Sequence, residues 1–239
     1  MLSIFKKEVS GFLNSLIAYI VIGVFLTCIG LLMWVFPQTS VLNYGFADME
    51  TLFGFGPYVL MFLVPAITMR TFAEEKKSGT IELLLTRPLT DLQIVMGKYL
   101  SGFFLVLIAL IPTLIYYYSI YRLGNPVGNL DSAGIVGSYI GLLLLGGVFT
   151  AVGILASALT ENQIVAFILA VFLCFLLYNG FDSLASIDGG EGWMERLGIV
   201  YHYNAMSKGL IDSRNLTYFV SVIVLMIYLT RLALSSRKW

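Results

Sequence analysis

The chain has 239 residues, of which 59% are hydrophobic and only 12% charged, with 14 basic residues balanced by 14 acidic ones. Soluble domains carry about 25% charged residues. This composition has too little polar surface to coat a water-soluble globule, so the chain is of the membrane class. A net charge of zero carries no footprint for nucleic-acid binding.

From the N-terminus, "MLSIFKKEVSGF" has the charged start of a secretory signal, but the apolar run behind it is too long and no small-residue cleavage site closes it. It reads as the entry to a retained first span. A membrane-crossing helix needs about 20 mainly apolar residues. Six segments meet this: 15–36, 52–70, 100–121, 135–159, 163–181 and 216–232. Polar and apolar residues do not alternate in them, which argues against a β-barrel. The expected fold is therefore all-α and polytopic, a single transmembrane domain over residues 1–239.

Lysine and arginine bias sets orientation. With the N-terminus in the cytoplasm, Lys6, Lys7, Arg70, Lys76, Lys77, Arg87, Lys98, Arg231, Arg237 and Lys238 lie inside. Only Arg122, Arg196, Lys208 and Arg214 lie outside. Both termini are expected to be cytoplasmic. Tyr116, Tyr117, Tyr118 and Tyr121 then end the third span at the outer headgroup level, where amphipathic rings settle.

The densest charge falls between spans two and three, in "FAEEKKSGTIELLLTRPLT" (72–90). Ser78 or Gly79 can start a helix with Glu82 in its first turn, at the positive end of the helix dipole. Ile81, Leu84 and Leu85 share one face, and Pro88 ends the element. A short amphipathic helix of this kind either lies on the membrane surface or seats in a groove of a cytoplasmic partner, with flanking charges setting its register.

Farther along, Gly137 and Gly141 form a small-xxx-small pair in the fourth span, suited to close helix packing within the subunit or across a dimer. The turn "LTENQ" (159–163) carries Glu161 and Asn162, read either as a solvated turn or as a second partner contact. In "GWMERLGIVYHYNAMSKGLIDSRN" (192–215), Trp193, Leu197, Val200 and Tyr201 recur near helical spacing, the pattern of an interfacial segment before the last span. His202 stands alone, without companions for a metal site. No phosphate-binding glycine loop or hydrolase motif is present, and the spans show almost no buried charge, unlike proton-coupled carriers. Energy is expected from outside the chain, and no catalytic or metal-binding residue is assigned. Cys28 and Cys174, both in apolar runs, read as small hydrophobes.

The run "RTFAEEKKSGTIELLLTRPLTDLQIVMGKYL" resembles the segment after the second span of ABC-2 type transporter permeases, and the six-span topology is similar throughout. The matching positions are Glu74, Glu75, Lys76, Lys77, Gly79, Thr80, Glu82, Leu84, Leu85, Thr86, Pro88 and Lys98. An arginine stands between Thr86 and Pro88. The resemblance implies that this segment is a coupling helix seated in a separate ABC ATP-binding subunit, which holds ATP and Mg²⁺, while this chain binds no cofactor. It implies short re-entrant helices around Trp193, Leu197, Val200 and Tyr201 that cap the path on the outer side. It also implies a bacterial inner-membrane location and pairing with a second copy or a second membrane subunit. The start of the chain and the 70–91 block further resemble the gliding-motility permeases of that family. The rival reading is a passive membrane scaffold.

Overall fold

A computed structural model describes residues 1–43, 45, 47–85, 89–187 and 193–236. Among the described residues the structure is helical without strands. Six helical stretches are long and apolar enough to cross a membrane, at Leu16–Trp34, Glu50–Lys77, Asp91–Leu123, Ser132–Leu159, Gln163–Ala185 and Ser213–Ser235.

An amphipathic helix α1 (Leu2–Leu13) precedes span 1, helix α2 (Leu16–Trp34), and is separated from it at Ser15, whose hydroxyl caps the Ile17 amide. The N-terminal stretch, expected only as the entry to the first span at 15–36, is thus a helix of its own. Ile4 packs on Gly97, and the ring of Phe5 meets Phe104 edge-on, so α1 lies along the start of span 3. Span 2 is α3 (Glu50–Thr68), followed by two short helices, α4 (Ala73–Lys77) and α5 (Thr80–Leu85). Span 3 is α6 (Asp91–Leu110), continued after a 3-10 turn at Ile111–Thr113 by α7 (Leu114–Leu123). The turn falls at Pro112, which has no amide to donate and cannot continue an α-helical ladder.

Span 3 starts nine residues earlier than its hydropathy suggests. Thr90 and Gln93 form a reciprocal capping box, which satisfies the first amides of α6. Lys98 is thereby placed inside the helix and is fully buried. This corrects the expectation that Lys98 marks the span's aqueous end and that the spans bury almost no charge.

Span 4, α8 (Ser132–Leu159), is the axis of the bundle, with α3, α6, α9 (Gln163–Phe175), α12 (Ile199–Ser207) and α13 (Ser213–Ser235) packed around it. Its small residues let backbones approach closely. A Cβ at Gly153 would lie 2.0 Å from Thr68 Oγ1, and one at Gly146 2.7 Å from a Val106 methyl. Gly137 and Gly141 face Gly209 and Met206 of the same chain, so this pair is used within the subunit. Span 5 runs on from α9 through a π-helical turn at Leu176–Gly180 into α10 (Phe181–Ile187). Before α12 comes α11 (Trp193–Leu197).

Two apolar clusters form the core. The larger fills the bundle and the end away from the termini. The smaller joins Ile4, Phe72, Ile81, Ile94, Tyr99, Ile154, Ala158 and Leu234, and so gathers both termini and the 72–81 segment at one end.

Candidate functional site

Helix α4 begins where span 2 leaves the bundle, and its root is fixed in two ways. The first fixture is Ser157, fully buried near the C-terminus of α8. Its hydroxyl accepts from the Phe72 and Ala73 amides, both at 3.0 Å, and donates to the Met69 carbonyl at 3.0 Å. These bonds satisfy two of the open N–H groups at the start of α4. Lys76 donates to the Ala158 carbonyl. The segment is thus bonded to the helix end that leads directly into Thr160, Glu161 and Asn162. The two stretches singled out as partner contacts, far apart in sequence, lie side by side.

The second fixture is ionic. Buried Lys98 donates to Glu8 Oε1 at 2.8 Å and to the Thr71 carbonyl, lies 2.9 Å from Glu75 Oε2, and sits 4.9 Å from the centre of the Phe72 ring. A buried ammonium must be paired in this manner. Glu75 also accepts from Lys7 at 2.9 Å, so one carboxylate bridges α1 and α6 through α4. Partial burial lowers the pKa of Lys7, but the bond to Glu75 and the nearby carboxylates of Glu75 and Glu8 outweigh that, and the net shift is upward.

The predicted coupling residues therefore divide. Glu75 and Lys76 turn inward and tie the segment to the bundle. Glu74, Lys77, Gly79, Thr80 and Glu82 are exposed. Gly79 has φ +70°, the left-handed region that glycine reaches without strain, and it forms the corner between α4 and α5. Ile81 is buried and docks α5 on the small cluster, while Leu84 and Leu85 lie in its last turn. Thr86 and Pro88 lie outside the described residues. In the turn between spans 4 and 5, the Asn162 side chain caps α9 through the Ile164 amide at 2.9 Å, and Glu161 is exposed.

At the other end, the segment before span 6 forms two helices broken at extended Gly198. Trp193 opens α11. Leu197 and Tyr201 are exposed and Val200 is half-buried, whereas Ile199, Tyr203 and Met206 form the buried face. Of the stripe read from the sequence, Leu197 and Tyr201 therefore lie on the outward side, while Val200 lines the cavity described next. Tyr203 donates to the Phe53 carbonyl at 2.7 Å, and its ring meets Tyr178 of the π-helical turn. Both tyrosines line a cavity of about 590 Å³ that also receives Tyr58, Asp48, Asp182 and Lys208. His202 bonds Asn215 Oδ1 and the Arg196 carbonyl and stacks on Tyr218, holding α11 and α12 to the last span.

Residues 37–230 match the family model described as ABC-2 family transporter protein. The chain belongs to the ABC-2 transporter family. It is a multi-pass membrane protein and a permease component of an ABC transporter, not its catalytic part. A comparison with curated proteins returned no match.

Sequence reasoning missed the ion-pair clamp of Lys98, Glu8, Glu75 and Lys7. No local signal joins residues 90 positions apart. The capping box at Thr90 could have shown that Lys98 lies inside a helix.

Proposed function

We propose that the exposed ridge of Glu74, Lys77, Gly79, Thr80 and Glu82 is the seat of a separate ABC ATP-binding subunit, with Leu84, Leu85, Thr86 and Pro88 as further contact residues. Glu161 and Asn162 form its second contact. The observation that carries this reading is the root of the ridge: Glu75 and Lys98 bind it to α1 and span 3, and Ser157 and Lys76 bind it to span 4. A push on the ridge is then delivered to three elements at once instead of being absorbed by a loose loop. ATP and Mg²⁺ belong to the partner, and this chain supplies the lever and the spans.

On this reading the end with both termini is cytoplasmic, as the basic-residue bias supports, and the membrane is the bacterial inner membrane, as the family resemblance implies. Trp193, Leu197, Val200 and Tyr201 close the path on the opposite side. The bundle works with a second copy or with a second, homologous membrane subunit. The sequence resemblance at the start of the chain and across 70–91 supports a role in gliding motility, as transport or as mechanical work on an external partner.

Affinity purification of the full chain in mild detergent tests this. We expect an ATP-binding subunit to co-elute, together with a second membrane subunit of the motility machinery if that assignment holds. The charge reversal Glu82→Arg is expected to weaken co-elution and lower the ATPase activity of the complex by about tenfold, the scale of a misplaced interfacial charge. Unchanged ATPase activity would instead make the chain a passive scaffold.

A further inference from the structure

A cavity of about 480 Å³ opens between α1, the end of span 2, α4 and the body of α6. It lies where two spans end: Ser15 caps α2, and Arg70 follows just after α3. A bilayer placed by the ends of α2 and α3 would have its headgroups at this level, where long basic side chains end. Its lining is two-sided. Ile17, Ile67 and Leu105 supply an apolar wall on the bundle side, and Ser15, Arg70 and Glu74 supply polar groups at the aqueous side.

The charges at the rim settle what fits. Lys7, Glu8 and Glu75 also line the cavity, but with Lys98 behind them they neutralise one another. Two charges are left over. The Arg70 side chain makes no hydrogen bond or ion pair among the described residues, and its Nε is buried without an acceptor. The Glu74 carboxylate likewise has no bonded partner among the described residues, although it lies four positions from Arg70. A buried guanidinium donor calls for an acceptor that the chain does not provide. Its planar fork suits a phosphate. A purely anionic ligand would leave the Glu74 carboxylate unpaired beside it, whereas one bearing both a phosphate and a primary ammonium satisfies Arg70 and Glu74 together.

We infer that this cavity binds a zwitterionic aminophosphate headgroup of the phosphoethanolamine type, with its phosphate on Arg70, its ammonium on Glu74 and its glycerol and acyl portion along Ile17, Ile67 and Leu105. The apolar wall of Ile17, Ile67 and Leu105 and the position at the ends of two spans point to a membrane lipid as the source, not a free metabolite. The lipid occupies the space between α1 and span 2.

Native mass spectrometry of the full chain in mild detergent tests this, with titration of phosphatidylethanolamine, phosphatidylglycerol and free phosphoethanolamine. The expected order is phosphatidylethanolamine about tenfold tighter than phosphatidylglycerol, with free phosphoethanolamine unable to displace the lipid at equal concentration. Arg70→Gln should lower phosphatidylethanolamine binding about tenfold, and Arg70→Lys should retain part of it. Glu74 is exposed, so Glu74→Gln should leave the fold intact and remove the preference between the two lipids. This second variant keeps the test decisive if Arg70→Gln does not fold. Equal binding of both lipids to the natural chain, binding unaffected by Arg70→Gln, or displacement by free phosphoethanolamine would each overturn the assignment.

Discussion

The two ends of the bundle are held by different physics. At the end with the termini, the joints are ionic and cross between elements: Lys98 to Glu8 and Glu75, and Glu75 to Lys7. At the far end, the joints are backbone contacts and tyrosine hydroxyls. Gly209 lies against Gly134 and Gly137, and Tyr203, Tyr116 and Tyr218 donate to main-chain carbonyls. Ion pairs keep their attraction over a range of small displacements because Coulomb energy falls slowly with distance. Packed backbone contacts have no such tolerance. The first kind suits the lever proposed above, which would have to move and stay attached. The second suits the outer closure proposed above, whose position over the cavity would be set by shape.

If this contrast holds, the far end should be the less forgiving to a change of volume. Gly209 has φ +80°, and a Cβ there would lie 2.4 Å from the Gly134 Cα. Both neighbours are backbone and cannot rotate away. Gly209→Val should cost about 4 kcal/mol from strain and overpacking together, read as a lower unfolding temperature in mild detergent or loss of folded protein. At the other end, Lys98→Met strands two carboxylates whose side chains are only 20% and 12% exposed. A cost of about 3 kcal/mol is expected. The triple variant Lys98→Met, Glu8→Gln, Glu75→Gln should recover most of it, because the loss comes from unpaired charge. If the triple variant is no better than the single one, the joint is not ionic.

Ser157→Ala sharpens the comparison on a smaller scale. It removes two acceptor contacts and one donor contact at the root of α4, at about 1–2 kcal/mol. Faster hydrogen exchange should be confined to the Phe72 and Ala73 amides. The smallest effect concerns Lys7, whose side chain is mostly exposed. Its pKa in the folded chain lies above the ordinary 10.5. Its stabilising contribution is therefore complete below pH 10.5 and disappears as pH climbs through the raised value. The stability difference between the natural chain and Lys7→Gln should be constant up to about pH 10.5 and fade as pH climbs through the raised value.

Much of this architecture is legible in the residues alone. Six spans can be read because a bilayer core offers no water to backbone groups, so every crossing must be a long apolar helix. The short helix starting near Gly79 is legible because helix-start residues and amphipathic spacing are local properties. The start of span 3 is not, because hydropathy treats Lys98 as a boundary. Only the folded chain brings Glu8 and Glu75 to it and makes its burial affordable. For the same reason the 72–82 charges look alike in sequence, yet the structure turns Glu75 and Lys76 inward and leaves Glu74, Lys77 and Glu82 outside. The sequence by itself determined the solvent, the crossings and the place of the short amphipathic helix between spans 2 and 3, since each follows from composition and short-range periodicity. Which charges hold the lever, which face of the 197–206 segment is buried, and where Arg70 is left without a partner were decided by tertiary structure, because each depends on groups tens of residues apart meeting within about 3 Å, the distance over which hydrogen bonds form.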